Sequence, residues 1–191
     1  TESSRGMTMA SYSLVGTRAD VDLMLWKVSP TLDAITGLMA QINRTELGRF
    51  LHTPHSYLAM TRPSPYVVEH RHDDQEGVSS TMRIMGRKYL IIYPFVKTHE
   101  WYQLPKEDRQ SMMSEHFTIG HKYPEVKIST AYSFGLDDQE FVLGFETDDT
   151  STFLDLVMEL RESQARPYTL QDTPIFTCIS KNLPACLDDL G

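Results

Sequence analysis

A histidine lies in the middle of an amphipathic helix pattern. His116 shares the predicted helix 106–123 with Met112, Ile119 and Tyr123, and the spacing puts all four side chains on one face. An imidazole within an apolar stripe needs a partner, because an unpaired buried polar group is costly. Two interpretations follow from the residues alone. His116 is either a core histidine bonded to a carbonyl oxygen, or a ligand of a metal ion or a haem iron.

Other residues that could bind metal are less well placed. His70 and His72 lie in a charged stretch that indicates a solvated loop, and the spacing supplies no third ligand. Cys178 and Cys186 lack the CxxC spacing of a metal site. We expect a reduced pair and a cytoplasmic protein, and a disulfide remains the alternative.

The composition narrows the class of protein. The 191 residues, 40% of them apolar, are enough for one large domain or two small ones. A net charge of −8, from 26 acidic and 18 basic residues, argues against a nucleic-acid partner. No apolar run reaches the roughly 18 residues of a membrane span, and the polar start predicts no export signal.

The order of predicted elements repeats along the chain. Residues 88–180 follow the order β-α-β-β-α-β of a ferredoxin-like unit, and the first half follows β-β-α-β. We therefore predict an α+β fold of tandem ferredoxin-like repeats, of the dimeric α+β barrel type. The first repeat lacks an initial strand and helix, so we expect the chain to be a piece of a longer protein. The predicted parts are an N-terminal half (9–65), a linker or mobile loop (66–87), a C-terminal half (88–181) and a tail (182–191).

Local signals set the predicted boundaries. Ser29 is the predicted N-cap of the first helix, with Pro30 at its first position. Asp148 and Asp149 are the candidate caps of the last predicted helix. The predicted strands cover residues 12–16, 21–27, 56–61, 89–95, 127–134, 140–146 and 174–180.

Several short motifs resemble those of one family. In the second half they are Tyr93-Pro94-Phe95-Val96-Lys97, Glu100-Trp101-Tyr102, Met113-Ser114-Glu115-His116 and Tyr132-Ser133-Phe134-Gly135-Leu136-Asp137-Asp138. With matching segments at 12–16, 22–26 and 43–49, they resemble the chlorite dismutase superfamily and, more narrowly, the coproheme decarboxylases. The resemblance covers about residues 10–180. It implies two ferredoxin-like repeats per subunit and a homo-oligomer, usually a pentamer.

The resemblance assigns roles to the residues of the second half. His116 becomes the proximal ligand of a porphyrin iron, and Gln164 stands where many relatives have a glutamate that bonds the imidazole. Tyr93 and Lys97 become catalytic residues. Strand geometry puts both on one face, where the cation can hold a propionate and help the phenol to deprotonate. Pro94, Phe95 and Val96 complete the motif and are expected at the cofactor.

Three further cofactor contacts follow from the resemblance. Ser129 occupies the distal position, where chlorite dismutases have an arginine, and Lys127 on the same strand face could partly replace that charge. Arg166 and Arg83 match propionate-binding positions of the family. The alternative for each arginine is a surface position with no bound propionate.

The predicted activity is the oxidative decarboxylation of two propionates of iron coproporphyrin III by hydrogen peroxide, which gives haem b. Haem is then both cofactor and product. The alternatives are a chlorite dismutase or haem peroxidase, which Ser129 argues against, a non-catalytic haem-binding or sensor protein, and a structural oligomer that binds nothing.

Overall fold

The computed structural model of the protein describes residues 6–66 and 84–191. The chain forms two compact units, one of residues 1–56 and 180–191 and the other of residues 57–179. The elements in chain order are β1 (Thr8–Ser13), β2 (Leu23–Val28), α1 (Leu32–Asn43), a 3₁₀ turn (Leu47–Arg49), β3 (Tyr89–Lys97), α2 (His99–Gln103), α3 (Lys106–Gly120), β4 (Lys127–Tyr132), β5 (Phe141–Thr147), α4 (Thr150–Leu160), a 3₁₀ turn (Arg166–Tyr168), β6 (Thr169–Gln171), β7 (Phe176–Ser180) and α5 (Leu183–Asp188).

The first unit contains an antiparallel hairpin and two helices. β1 pairs with β2 so that Ala10 lies opposite Trp26. α1 begins at Leu32, and its N-cap is Thr31, whose hydroxyl accepts the N–H of Ala34. The predicted cap at Ser29 is therefore wrong by two residues. The Ser29 hydroxyl instead accepts the N–H of Thr31, at 3.2 Å, before the helix begins.

The second unit has the complete predicted plan. β3 pairs antiparallel with both β5 and β7, and β4 pairs antiparallel with β5. The strand order β7-β3-β5-β4 with α3 and α4 in the connections is the β-α-β-β-α-β arrangement. The predicted α+β class is confirmed. β6 and α2 were not predicted, and β6 pairs with the end of β3 around Lys97.

The predicted strand at 56–61 is wrong. Its only strand-like contact in the described chain is a single bridge between Met60 and Tyr132. Apart from that bridge, the backbone of this segment bonds to side chains among the described residues and not to a neighbouring strand. The N–H of Leu58 donates to Asp137 at 2.6 Å, and the Leu58 carbonyl accepts the Ser133 hydroxyl at 2.7 Å. Alternation of apolar residues could not reveal these side-chain partners.

One face of the second unit's sheet packs against its helices. The buried side chains of Ile91, Ile119, Phe145 and Leu156 form a cluster that joins β3, α3, β5 and α4. Burying each such side chain stabilises the fold by about 1.5–3 kcal/mol. This face therefore holds the side chains of β3 in a fixed place relative to α3.

The helix boundaries follow local capping. The Asp149 carboxylate accepts the N–H of Ser151 at 2.9 Å and caps α4, which confirms one of the two predicted caps. α3 ends at Gly120, three residues before the predicted end at Tyr123. Within residues 6–66 and 84–191, no helix combines the length and apolar character of a membrane span.

Candidate functional site

Tyr93 lies on the helix-covered face of the sheet. It pairs with Leu143 across β3 and β5, and its ring stacks on Phe145 with centroids 5.6 Å apart and 19° between the planes. Burial raises the pKa of the Tyr93 phenol well above its usual value; Asp172 raises it further and Arg166 opposes the shift. At neutral pH this side chain is a protonated phenol with a fixed ring.

Lys97 ends β3 as a half-buried cation. Its Nζ donates to the Ala165 carbonyl at 3.2 Å and lies 4.2 Å from the centroid of the Trp101 ring. Lys97 forms no ion pair within residues 6–66 and 84–191. Burial and then the charge of Arg166 lower the pKa of Lys97 to about 8, against an opposing effect of Glu140. The fold thus holds a positive charge here that it does not neutralise.

His116 is half-buried on α3, with its ring edge-on to Phe117 at 6.2 Å. Burial, and then the charge of Lys97, lower the pKa of His116 to about 4, while Glu115 opposes the shift. The imidazole is therefore neutral at pH 7. No hydrogen bond to it exists among the described residues, so the carbonyl-bonded core histidine is not what the structure contains. A neutral imidazole with an available ring nitrogen is the form that binds iron.

The structure brings four of the predicted residues within electrostatic range of one another. Lys97 lowers the pKa of His116, and Arg166 lowers those of both Lys97 and Tyr93. Arg166 itself donates from Nη1 to Asp172 at 2.7 Å. Tyr93 and Lys97 come from β3, His116 from α3, and Arg166 from the 3₁₀ turn that follows α4.

The remaining motif residues divide between the two sheet faces. Phe95 lies opposite Phe141 on the same face as Tyr93, and its ring centroid is 5.4 Å from the Lys97 Nζ. Pro94 lies opposite Val142 on the other face. Val96 pairs with Gln171 of β6. Of the three, only Phe95 has a contact that joins it to the Tyr93–Lys97 pair.

Ser129 lies on the opposite face of the sheet from Tyr93. Ile128 pairs with Phe145 on the helix-covered face, and the next residue, Ser129, pairs with Gly144 and points the other way. Lys127 shares the face of Ser129. The predicted distal position of Ser129 does not fit this register, since a shift of one residue reverses the face of a strand side chain. Ile128, Thr130 and Tyr132 are the β4 residues on the face of Tyr93.

Gln164 does not contact His116. Its side chain is exposed, and its backbone N–H donates to the Glu115 carboxylate at 2.9 Å. Gln164 therefore does not bond the second ring nitrogen of His116, contrary to what the resemblance implied. Arg83, the other predicted propionate contact, lies outside the described residues.

Sequence reasoning missed several residues around the site. Trp101 is buried and carries the Lys97 Nζ on its ring, although the prediction used it only as part of a motif. Asp172 accepts both Arg161 and Arg166 at 2.7 Å.

The motif resemblance is confirmed by the match of a family model. The model for chlorite dismutase matches residues 1–181, and the chain therefore belongs to the chlorite dismutase family.

Individual relatives cover most of the chain. The coproheme decarboxylase of Mycolicibacterium smegmatis is 34% identical over 167 residues, which are 87% of this chain and 70% of that protein. A mutant of chlorite dismutase from Candidatus Nitrospira defluvii superposes with a TM-score of 0.87 at 26% identity, over 98% of this chain and 80% of the other. The same enzyme in complex with imidazole superposes with a TM-score of 0.84 at 26% identity, over 98% and 79% of the two chains.

Proposed function

We propose that the protein is a coproheme decarboxylase, which converts two propionates of iron coproporphyrin III to vinyl groups with hydrogen peroxide and releases haem b. The observation that carries the proposal is the group of Tyr93, Lys97 and His116: a fixed phenol, an unneutralised cation and a neutral imidazole without a hydrogen bond among the described residues. The coproheme decarboxylase of M. smegmatis, at 34% identity, supports the same activity.

His116 fits the role of the protein's iron ligand. Its lowered pKa keeps the imidazole neutral well below pH 7, so a proton does not compete for the ring nitrogen. A porphyrin iron needs one such ligand from the protein, because the macrocycle supplies the others. When bound, the iron porphyrin takes up the oxidising power of peroxide.

Tyr93 is the proposed route for electrons from a propionate. Each conversion removes carbon dioxide, a proton and two electrons from the propionate, and one peroxide accepts two electrons and two protons to give two waters. The raised pKa keeps the phenol protonated until it is oxidised, and the stacked Phe145 ring restricts its position. The phenol would give up its proton with one electron and regain both from the propionate, and the second electron would pass to the bound porphyrin as carbon dioxide leaves.

Lys97 and Arg166 are the proposed carboxylate-binding cations. Among the described residues the Lys97 Nζ contacts a carbonyl oxygen and two aromatic rings and forms no ion pair, so a carboxylate there gains a charge-assisted hydrogen bond without displacing an acid that is paired with Lys97 among those residues. Arg166 is held by one Nη1 contact to Asp172, which leaves other N–H groups of its fork for a ligand.

Chlorite conversion is less consistent with these residues. The β4 side chains on the site face are Ile128, Thr130 and Tyr132, and none of them carries a positive charge. Tyr93 would also have no role in a reaction that consumes no carboxylate.

Peroxide titration of the coproheme complex tests the proposal. Mass spectrometry is expected to show products that have lost first one and then two carboxyl groups, and Tyr93→Phe is expected to bind coproheme without forming them. His116→Ala is expected to lose the Soret shift. Oxygen evolution from chlorite without decarboxylation would favour the dismutase, and tight binding with neither reaction would favour a haem-binding protein.

The assembly and location of the protein remain predictions. We expect a homo-oligomer, with five subunits as the family resemblance implies, in the cytoplasm. Sedimentation of the purified chain with and without coproheme measures the subunit number.

A further inference from the structure

An arginine on α3 lacks the partners that a guanidinium normally has. The Nη1 of Arg109 lies 3.5 Å from the Tyr66 hydroxyl, and its buried Nε has no hydrogen bond within the described parts of the chain. Arg109 makes no ion pair with the residues of 6–66 and 84–191. An arginine side chain is always charged and has five N–H donors, so leaving a buried donor unsatisfied destabilises the ligand-free protein.

Arg109 shares the helix face of the proposed iron ligand. It precedes His116 by seven residues, or two turns, so the two side chains leave the same side of α3. The helical rise separates them by about 10 Å along the axis. Arg109 therefore leaves α3 on the same side as the proposed iron ligand, two turns closer to the start of the helix.

Aromatic contacts connect Arg109 with the Lys97 cation. The Tyr66 ring meets the Trp101 ring edge-on at 6.4 Å, and Trp101 carries the Lys97 Nζ at 4.2 Å on its own ring. Arg109 and Lys97 thus lie near two ends of one aromatic group. The acid of this region, Glu140, already accepts the Tyr102 hydroxyl at 2.5 Å and the Lys97 backbone N–H at 2.7 Å on the same oxygen. Arg109 is left as a second unneutralised cation.

We propose that Arg109 binds a carboxylate of the porphyrin, distinct from the one at Lys97, and so makes the site prefer a tetracarboxylate porphyrin over a dicarboxylate one. The inference rests on the proposed function, since it takes His116 as the iron ligand. Arg109 supplies a planar fork of donors that matches a carboxylate. Its contact is lost when the carboxylate it holds is removed, so the product is bound less tightly than the substrate.

Equilibrium binding without peroxide tests the proposal. Iron coproporphyrin III, with four carboxylates, and haem b, with two, are titrated separately into the wild-type chain, Arg109→Gln and the control Arg49→Gln, and the Soret absorbance is followed. Arg49 is exposed in the first unit and has no part in the site. Arg109→Gln is expected to weaken coproporphyrin binding about 10- to 100-fold, the loss of one charge-assisted hydrogen bond, and to leave haem b within about threefold.

The outcomes separate this inference from the proposed function. Wild-type binding of both porphyrins with an unchanged affinity ratio in Arg109→Gln would overturn the role of Arg109 and leave the proposed function standing. Failure of the wild-type chain to bind either porphyrin would overturn both. If Arg109→Gln does not fold, Arg109→Met, which keeps the apolar stem, is measured instead, and an unchanged ratio there also overturns the role.

Discussion

The second unit surrounds its inward-facing ionisable groups in two different ways. Glu146, only 1% exposed, accepts the N–H groups of Met85 and Gly86 at 2.8 and 3.0 Å. Among the described residues, Lys97 at the end of β3 has no ion pair, and His116 on α3 has no hydrogen bond. A group with its partners built in stabilises the fold, whereas a group without them costs stability and remains available to a ligand.

The contrast teaches where function lies in this protein. Buried polar groups are normally satisfied, and an exception needs an explanation. Lys97 of β3 has no ion pair among the described residues, and on α3 His116 has no hydrogen bond among them and neither does the buried Nε of Arg109. The following predictions separate the satisfied group from the unsatisfied ones.

The largest expected effect is on turnover in Tyr93→Phe. The phenylalanine keeps the ring stacked on Phe145 but has no hydroxyl to give up, so the rate of decarboxylation should fall at least about 100-fold while coproheme affinity changes less than about threefold. Product mass measured against time checks this. Tyr123→Phe is the control, because the Tyr123 hydroxyl bonds Glu159 on the second unit and has no proposed role in the reaction. Equal rates in both variants would exclude Tyr93 from the reaction.

Glu146→Gln should reduce the free energy of unfolding by about 2–3 kcal/mol, because the new amide N–H₂ must face one of two backbone donors. Urea denaturation of the ligand-free protein measures the change. The control Glu159→Gln removes a partner of Lys122 on a more exposed carboxylate and should reduce the free energy of unfolding by less than Glu146→Gln does. A loss in Glu146→Gln no larger than in Glu159→Gln would remove the distinction between satisfied and unsatisfied groups.

Lys97→Met should stabilise the ligand-free protein by about 1–2 kcal/mol at pH 7, after allowing for partial exposure. The native pKa of about 8 lies below the ordinary 10.5, so burial disfavours the charged lysine. The added stability of Lys97→Met is fully present below pH 8. It disappears as the pH rises from 8 through 10.5, the pKa of lysine in the unfolded chain, because the wild-type lysine is then neutral in both states. The same variant should bind coproporphyrin more weakly. Loss of both stability and affinity would mean that Lys97 is a structural residue.

The smallest effect is the pH dependence of coproporphyrin affinity. Above the native pKa of about 8, binding a carboxylate requires Lys97 to take up a proton, so affinity should fall by up to about tenfold per pH unit until the higher pKa of the complex is reached. Absorbance titrations from pH 7 to 9 measure this. Lys97→Arg, whose charge persists, should show a flat profile, and a profile equally steep in that variant would assign the proton to another group.

Much of the second unit could be predicted from local sequence. The β-α-β-β-α-β order, the helix that carries His116 and the cap at Asp149 depend on side-chain period and on capping chemistry, which act between near neighbours in the chain. The Tyr93–Lys97 motif likewise indicated the proposed chemistry before any distance was known.

The predictions that failed depend on contacts between distant segments. The strand at 56–61 did not form because its backbone groups bond Ser133 and Asp137. The face of Ser129 depends on the register of β4 against β5, which a single strand does not specify.

By itself the sequence determined which residue types are available for chemistry: an imidazole, a phenol and a lysine on predictable elements. Only the tertiary structure decided which of them lack partners. Whether a charge is neutralised depends on what other segments bring within a few ångströms. One Glu140 oxygen accepts the Tyr102 hydroxyl, whereas the Nε of Arg109 has no hydrogen bond to any residue that the structure describes. That difference in pairing is a property of the packed sheet and helices, because it is set by pairs of residues far apart in the chain.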